Sequence, residues 1–156
     1  MGAGTKATWV RPDRMHLTLQ FFAAAEPPVE ARIMTALAEP ISERPFDLSF
    51  ETLGMFPEHG SPRVLWLAIR RGAAELGRVQ QILQSRLAMP PERERFKAHL
   101  TLARFRERVS RGKIAEIGKR PASAGPTRID RVTLYESRLS PAGPAYFRLA
   151  EAFLQP

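Results

Sequence analysis

The 156-residue chain contains no cysteine. Neither a disulfide framework nor a thiolate-ligated metal can therefore exist. Histidine is almost as scarce, with three scattered copies that are too few for a histidine-rich metal cluster, so any catalysis is expected to run without a metal or other cofactor. No apolar run approaches the ~18 residues of a membrane span, and the N-terminal MGAGTKATWVRP lacks the apolar core of a signal peptide. A cytoplasmic protein with no membrane partner is expected. Acidic residues are outnumbered, 16 against 24 lysines and arginines, for a net charge of +8. That balance favours a phosphate-bearing or polyanionic partner, although a solvated arginine-rich surface would give the same count. What is present otherwise is ordinary: 44% hydrophobic and 26% charged residues suit one globular domain, residues 1–156, expected to be a monomer.

Two of the three histidines are spent on the same word. MHLTLQFF begins at Met15, and AHLTLARF begins 83 residues later at Ala98. A single histidine on an amphipathic strand is usually structural. A second copy of HLTL arises by chance in a chain of this composition only on the order of one time in a thousand.

The surrounding pattern repeats as well. RVLWLAIR (Arg63 to Arg70) reads as a strand, and the next segment places Leu76, Val79, Leu83 and Leu87 at helical spacing with Ile82 beside them. A PPERE loop (Pro90 to Glu94) leads to the second HLTL, expected to be a strand. A short helix near Ser110 to Lys119, a Pro/Gly/Ser loop, the strand RIDRVTLYESRL, the turn SPAGP and a closing strand AYFRLAEAFL complete the second half. In the first half, HLTL is followed by a helix-compatible PVEARIMTALAEPI and an alternating strand, PFDLSFE. The halves match in order from HLTL onward, as an internal repeat does. By that symmetry a leading strand and helix are missing from the first half, where only fifteen residues precede His16.

In a strand, alternate side chains share a face, so His16 with Thr18, and His99 with Thr101, are expected on open faces while the leucines turn to the core. If the halves pack about a pseudo-twofold axis, both pairs line one cleft. Two imidazoles suit displacement at phosphorus, which needs a base at the attacking oxygen and an acid at the leaving oxygen, roughly in line. Histidine can do either near neutrality. The threonine hydroxyls can donate to the equatorial phosphate oxygens. A strained cyclic phosphate would need no metal.

Two H-x-T-x motifs in this arrangement resemble the two-histidine phosphoesterase superfamily, specifically the RNA 2′,3′-cyclic phosphodiesterases also called 2′-5′ RNA ligases. WVRPDRMHLTL, FPEHGSPRVLW, FKAHLTLAR and RVTLYESRLSPAGPAY carry the likeness, in order, over nearly the whole chain. The resemblance implies an α+β fold of two pseudo-symmetric lobes, each an antiparallel sheet with helices outside and the active site in the cleft between. It implies hydrolysis of RNA 2′,3′-cyclic phosphate ends, or of related nucleotides, to 2′-phosphates, with 2′-5′ joining or cleavage in some relatives. The residue matching His16 would be the acid for the 3′ oxygen and the one matching His99 would activate water; the sequence alone leaves the two roles interchangeable.

Further candidates follow from position. Arg104 fits the arginine that ends the family's second motif and is expected to contact phosphate or position the strand; Lys97, two residues before His99, would add charge to the same face. Arg106 and Arg108 belong to the dense basic stretch Ala103 to Lys113 and are expected to bind RNA without taking part in turnover. His59 is expected to be exposed in a loop, and Trp9, Trp66 and Phe22 to be core more than base-stacking platforms. The chain departs from the family pattern in the missing leading strand and helix, in Ala23 where a glycine is usual, and in Ala98 where a proline is usual. A non-catalytic RNA-binding relative is therefore the alternative to the enzyme.

Overall fold

A computed structural model describes residues 6–23, 26–88, 96–140 and 143–156. The PPERE loop lies outside these residues. The chain is α+β, with two sheets and three α-helices among the described residues, and its contacts divide it into two compact units.

The first unit comprises the described residues up to Thr18, with Leu48–Arg71 and Lys97–Thr127. Its five-stranded sheet has the order β1 (Ala7–Trp9), β5 (His99–Phe105), β4 (Val64–Arg71), β3 (Phe46–Phe56) and β6 (Ser123–Ile129). The β1/β5, β4/β5 and β3/β4 pairings are all antiparallel. Leu65, Ala103, Phe105 and Val109 form a core cluster on one face, joined by Leu53, Met55, Leu102 and, from α3 (Arg111–Gly118), Ile114 and Ile117. The two isoleucines are three residues apart and meet the sheet from one side of the helix. Ser110 starts α3 as its N-cap, accepting from Lys113 N at 3.3 Å.

The expected Pro/Gly/Ser loop before Arg128 is instead mostly strand. β6 approaches β3 so closely that a Cβ on Gly125 would stand 2.7 Å from the Leu48 carbonyl oxygen, and its φ of +100° favours glycine. As an edge strand β6 also tolerates Pro126, which has no N–H to give a ladder. Composition alone hid the strand.

The second unit comprises the described residues of Leu19–Asp47, Gly72–Phe96 and Arg128–Pro156. β7 (Arg131–Ser140) and β8 (Gly143–Gln155) form a long antiparallel ribbon, to which β2 (Ile41–Ser42) adds a short parallel pairing. α2 (Ala73–Arg86) buries Leu76, Val79 and Leu83, and Leu87 just beyond it is buried too, as the spacing predicts. Arg86 at its end donates to the carbonyls of Ala36 (3.1 Å), Glu39 (2.8 Å) and Pro40, capping α1 (Pro27–Ala36) with charge. Arg78 reaches Glu43 at 2.6 Å, and its guanidinium holds that carboxyl below the usual carboxylate range. No helix among the described residues is long and apolar enough to cross a membrane.

Candidate active site

The second HLTL opens β5 and is held on both sides, by β1 and by β4. Its register against β4 contains one irregularity. His99 faces Ala68, Leu100 faces Leu67 and Thr101 faces Trp66, but Ala103 faces Leu65 and Arg104 faces Val64, so Leu102 is an extra residue. Directly opposite residues share a face, and an inserted residue reverses the alternation beyond it. His99 and Thr101 therefore share a face with Arg104, while Leu102, Ala103 and Phe105 all join the core cluster on the other. A regular strand would have turned Arg104 away from the histidine. The bulge brings three of the expected residues together.

The surroundings of His99 are aromatic. Trp66, on the same face, lies across Gly54 so closely that a Cβ there would stand 2.2 Å from its ring. Phe56 stacks on Trp66 (centroids 4.9 Å apart, planes at 27°), and the His99 ring meets Phe56 edge-on at 5.0 Å and Trp66 at 5.9 Å. Lys97 lies two residues before the ladder begins. Its ammonium sits 5.2 Å from the centre of Phe56 and 5.4 Å from that of Trp66, and it pairs with Glu58, whose carboxyl it holds below the usual range. Trp66 is buried, as expected of a core residue, yet it also borders the histidine. Gly54, Phe56 and Glu58 went unrecognised in the sequence. Phe56 and Glu58 lie within the FPEHGSPRVLW segment, and Gly54 two residues before it.

The first HLTL is different. It was expected to be a strand, but His16 to Leu19 pair with no strand among the described residues. β1 runs along β5 only as far as Trp9, with Val10 N still bonded to Leu102 O at 2.8 Å; the 3-10 turn Pro12–Arg14 then takes the chain off the ladder. Pro12 carries no N–H with which to continue pairing. Even so, the alternation survives: His16 and Thr18 are exposed, Leu17 and Leu19 half-buried.

Both histidines are held by one device. His16 Nδ1 lies 2.8 Å from Arg14 O, and His99 Nδ1 lies 2.8 Å from Lys97 O. A carbonyl can only accept, so Nδ1 is the protonated nitrogen of each neutral ring and Nε2 is the nitrogen that takes up or gives back a proton. A basic residue stands two before the histidine in each copy, Arg14 in the first and Lys97 in the second. All six expected site residues, His16, Thr18, Lys97, His99, Thr101 and Arg104, fall in the first unit, and the chain enters the second at Leu19. His59 is exposed in its loop; Trp9, expected in the core, is 65% exposed because it lies on a three-residue edge strand. Among the described residues no three His, Asp or Glu side chains gather as a metal ion would require.

Known proteins resemble this chain over nearly its whole length. The family model of the 2′-5′ RNA ligase superfamily matches residues 6–140. The chain belongs to this superfamily. An Archaeoglobus fulgidus protein named RNA 2′,3′-cyclic phosphodiesterase is 34% identical over 92% of this chain and 81% of its own length. A protein of the same name from Aeropyrum pernix is 32% identical over 95% of this chain and 86% of its own. Among solved structures, a Thermus thermophilus protein superposes with a TM-score of 0.73 at 27% identity, covering 95% of this chain and 82% of that one. The E. coli superfamily member LigT, crystallised with ATP, superposes at 0.71 with 25% identity, covering 95% of this chain and 80% of that one.

Proposed function

We propose that this chain hydrolyses 2′,3′-cyclic phosphate ends of RNA to 2′-phosphates, as a cytoplasmic monomer that uses paired histidines and no metal or other cofactor. The observation that carries this is the identical hold on the two imidazoles, Nδ1 on a carbonyl two residues upstream at 2.8 Å in each copy of HLTL. The names of the Archaeoglobus and Aeropyrum relatives support an enzyme over the non-catalytic alternative.

The step balances with two proton transfers. One histidine, neutral, takes a proton from water through Nε2 as the water oxygen bonds to phosphorus. The bond from phosphorus to the 3′ oxygen breaks, and the other histidine, protonated, gives its proton to that oxygen. We assign His99 to the water and His16 to the leaving oxygen, as the family resemblance implies; in the joining direction they exchange. Thr18 and Thr101 donate to the phosphate oxygens, where charge accumulates, and Arg104 holds phosphate charge on the His99 face. Lys97 acts chiefly through its carbonyl, because its ammonium is already engaged by Glu58 and the two rings.

Hydrolysis of a 2′,3′-cyclic phosphate should survive EDTA and show a bell-shaped dependence of kcat/KM on pH, since one imidazole must be neutral while the other is charged. Loss of activity to the chelator with recovery on adding a divalent ion would overturn the metal-independent mechanism. A flat profile across the histidine range, about pH 5 to 8, would move the proton transfers to other groups.

A further inference from the structure

The bulge at Leu102 carries a consequence beyond Arg104. Past it, Thr8 of β1 stands opposite Arg104 and therefore shares its face. Arg106 N bonds Lys6 O at 2.9 Å, extending the pairing, and Arg106 Nε donates to Thr8 Oγ1 at 2.6 Å. That bond bends the Arg106 side chain back to the register of Arg104, on the face of His99 and Thr101. It uses Nε and leaves the terminal nitrogens as the donors of the fork. Two nearby cations are neutralised, Lys6 by Glu107 and Lys97 by Glu58, whereas neither Arg104 nor Arg106 has a carboxylate partner among the described residues. Arg108 lies beyond Arg106, whose bond to Lys6 O is the last of this pairing among the described residues, and has no place on this row.

Distance separates the Arg106 fork, tied to Thr8, from the reacting end. Four β4 positions, Ala68 to Val64, span the register between His99 and Arg104, or about 14 Å at ~3.4 Å per residue. A phosphate seated at His99 and Thr101 lies well short of the Arg106 fork, which the backbone of a longer strand can reach. We propose that Arg106, oriented by Thr8 and flanked by Arg104, is a second phosphate subsite that binds the RNA backbone on the 5′ side of the cyclic end. This rests on the reading above that the substrate is an RNA end, and it makes the chain favour oligonucleotides over mononucleotides.

The test compares an RNA tetranucleotide ending in a 2′,3′-cyclic phosphate with 2′,3′-cyclic CMP. Arg106→Gln should lower the ratio of their kcat/KM values about tenfold, through the KM for the tetranucleotide, the scale expected for one lost hydrogen-bonded charge contact. The log–log salt dependence of tetranucleotide affinity should flatten by about 0.7, the worth of one single-strand phosphate contact. Arg106→Lys should keep most of that salt dependence, and Thr8→Val, which removes only the positioning bond, should lower the ratio less than Arg106→Gln. Equal loss on both substrates, or no loss on either, would overturn the subsite. Should the native chain open neither substrate, the enzymatic reading fails and not this one. Fluorescence anisotropy with an RNA ending in a 2′-phosphate then decides, an unchanged salt slope in Arg106→Gln counting against the subsite.

Discussion

The two copies of HLTL share four letters and almost none of their surroundings. The second lies in the middle of a sheet, between β1 and β4, with an aromatic pair against its histidine; the first follows a 3-10 turn and pairs with no strand among the described residues, with its histidine exposed. Yet each ring is held through Nδ1 on the carbonyl two residues back, at 2.8 Å. That contact is made within three consecutive residues and needs no partner strand. Ladder pairing needs a neighbouring strand. The comparison separates a property that the word itself specifies, the orientation of an imidazole, from one that tertiary structure adds.

The strongest way to break the comparison is to remove each histidine in turn. His16→Ala and His99→Ala should each lower turnover about 10²-fold or more, the usual worth of a positioned acid or base. The double variant should cost far less than the product of the two, because acid and base serve one transition state. RNA-end affinity should change little, since the proposed arginine contacts to phosphate, which weaken with salt, remain in place. Full turnover in either single variant would mean that the copies are not equivalent and that the repeat is ancestry without shared chemistry.

Residues whose roles follow from local pattern were legible in the sequence. The spacing of Leu76, Val79, Leu83 and Leu87 placed α2 and its buried face, and the repeat singled out both His/Thr pairs. What escaped was set by contacts distant in sequence. Leu102 looks like any other strand leucine, and only its register against β4 reveals the bulge that turns Arg104 to the histidine face. Gly54 looks like a weak point in a strand until the Trp66 ring is found lying across it. The strand expected at His16 failed for the converse reason, that a favourable alternation cannot make a ladder without a neighbour.

A subtler perturbation acts on the second copy alone. Gly54→Ala would place a methyl group 2.2 Å from the Trp66 ring, so the ring must shift and carry with it its stack on Phe56 and its edge contact with His99. Overpacking of this kind costs about 1–3 kcal/mol of stability, readable from urea unfolding. Under native conditions the imidazole NMR signals of His99 should move while those of His16 stay. Movement of both signals would show that the copies are coupled more tightly than their separate surroundings suggest.

The smallest effect belongs to the ion pair beside the second copy. Lys97 holds the Glu58 carboxyl below its ordinary range, chiefly by hydrogen bonding and then by charge. A carboxyl whose folded value is lowered stabilises the fold fully above its unfolded value, about pH 4.3, and that contribution is lost as pH falls through the lowered folded value. Both side chains are more than half exposed, 51% for Lys97 and 59% for Glu58, so solvent and salt screen the pair. Glu58→Gln should therefore shift the Tm by no more than about 2 °C at neutral pH and low salt. The shift should shrink in high salt and disappear below the carboxylate range, where the native Glu58 is itself neutral. Turnover should change less than twofold, because His99 is held by the Lys97 carbonyl and not by its ammonium. A Tm difference that persists in acid would assign the effect of Glu58 to packing on the Phe56 side of the site, and a large loss of turnover would make the Lys97 ammonium part of the chemistry that sets the second copy apart from the first.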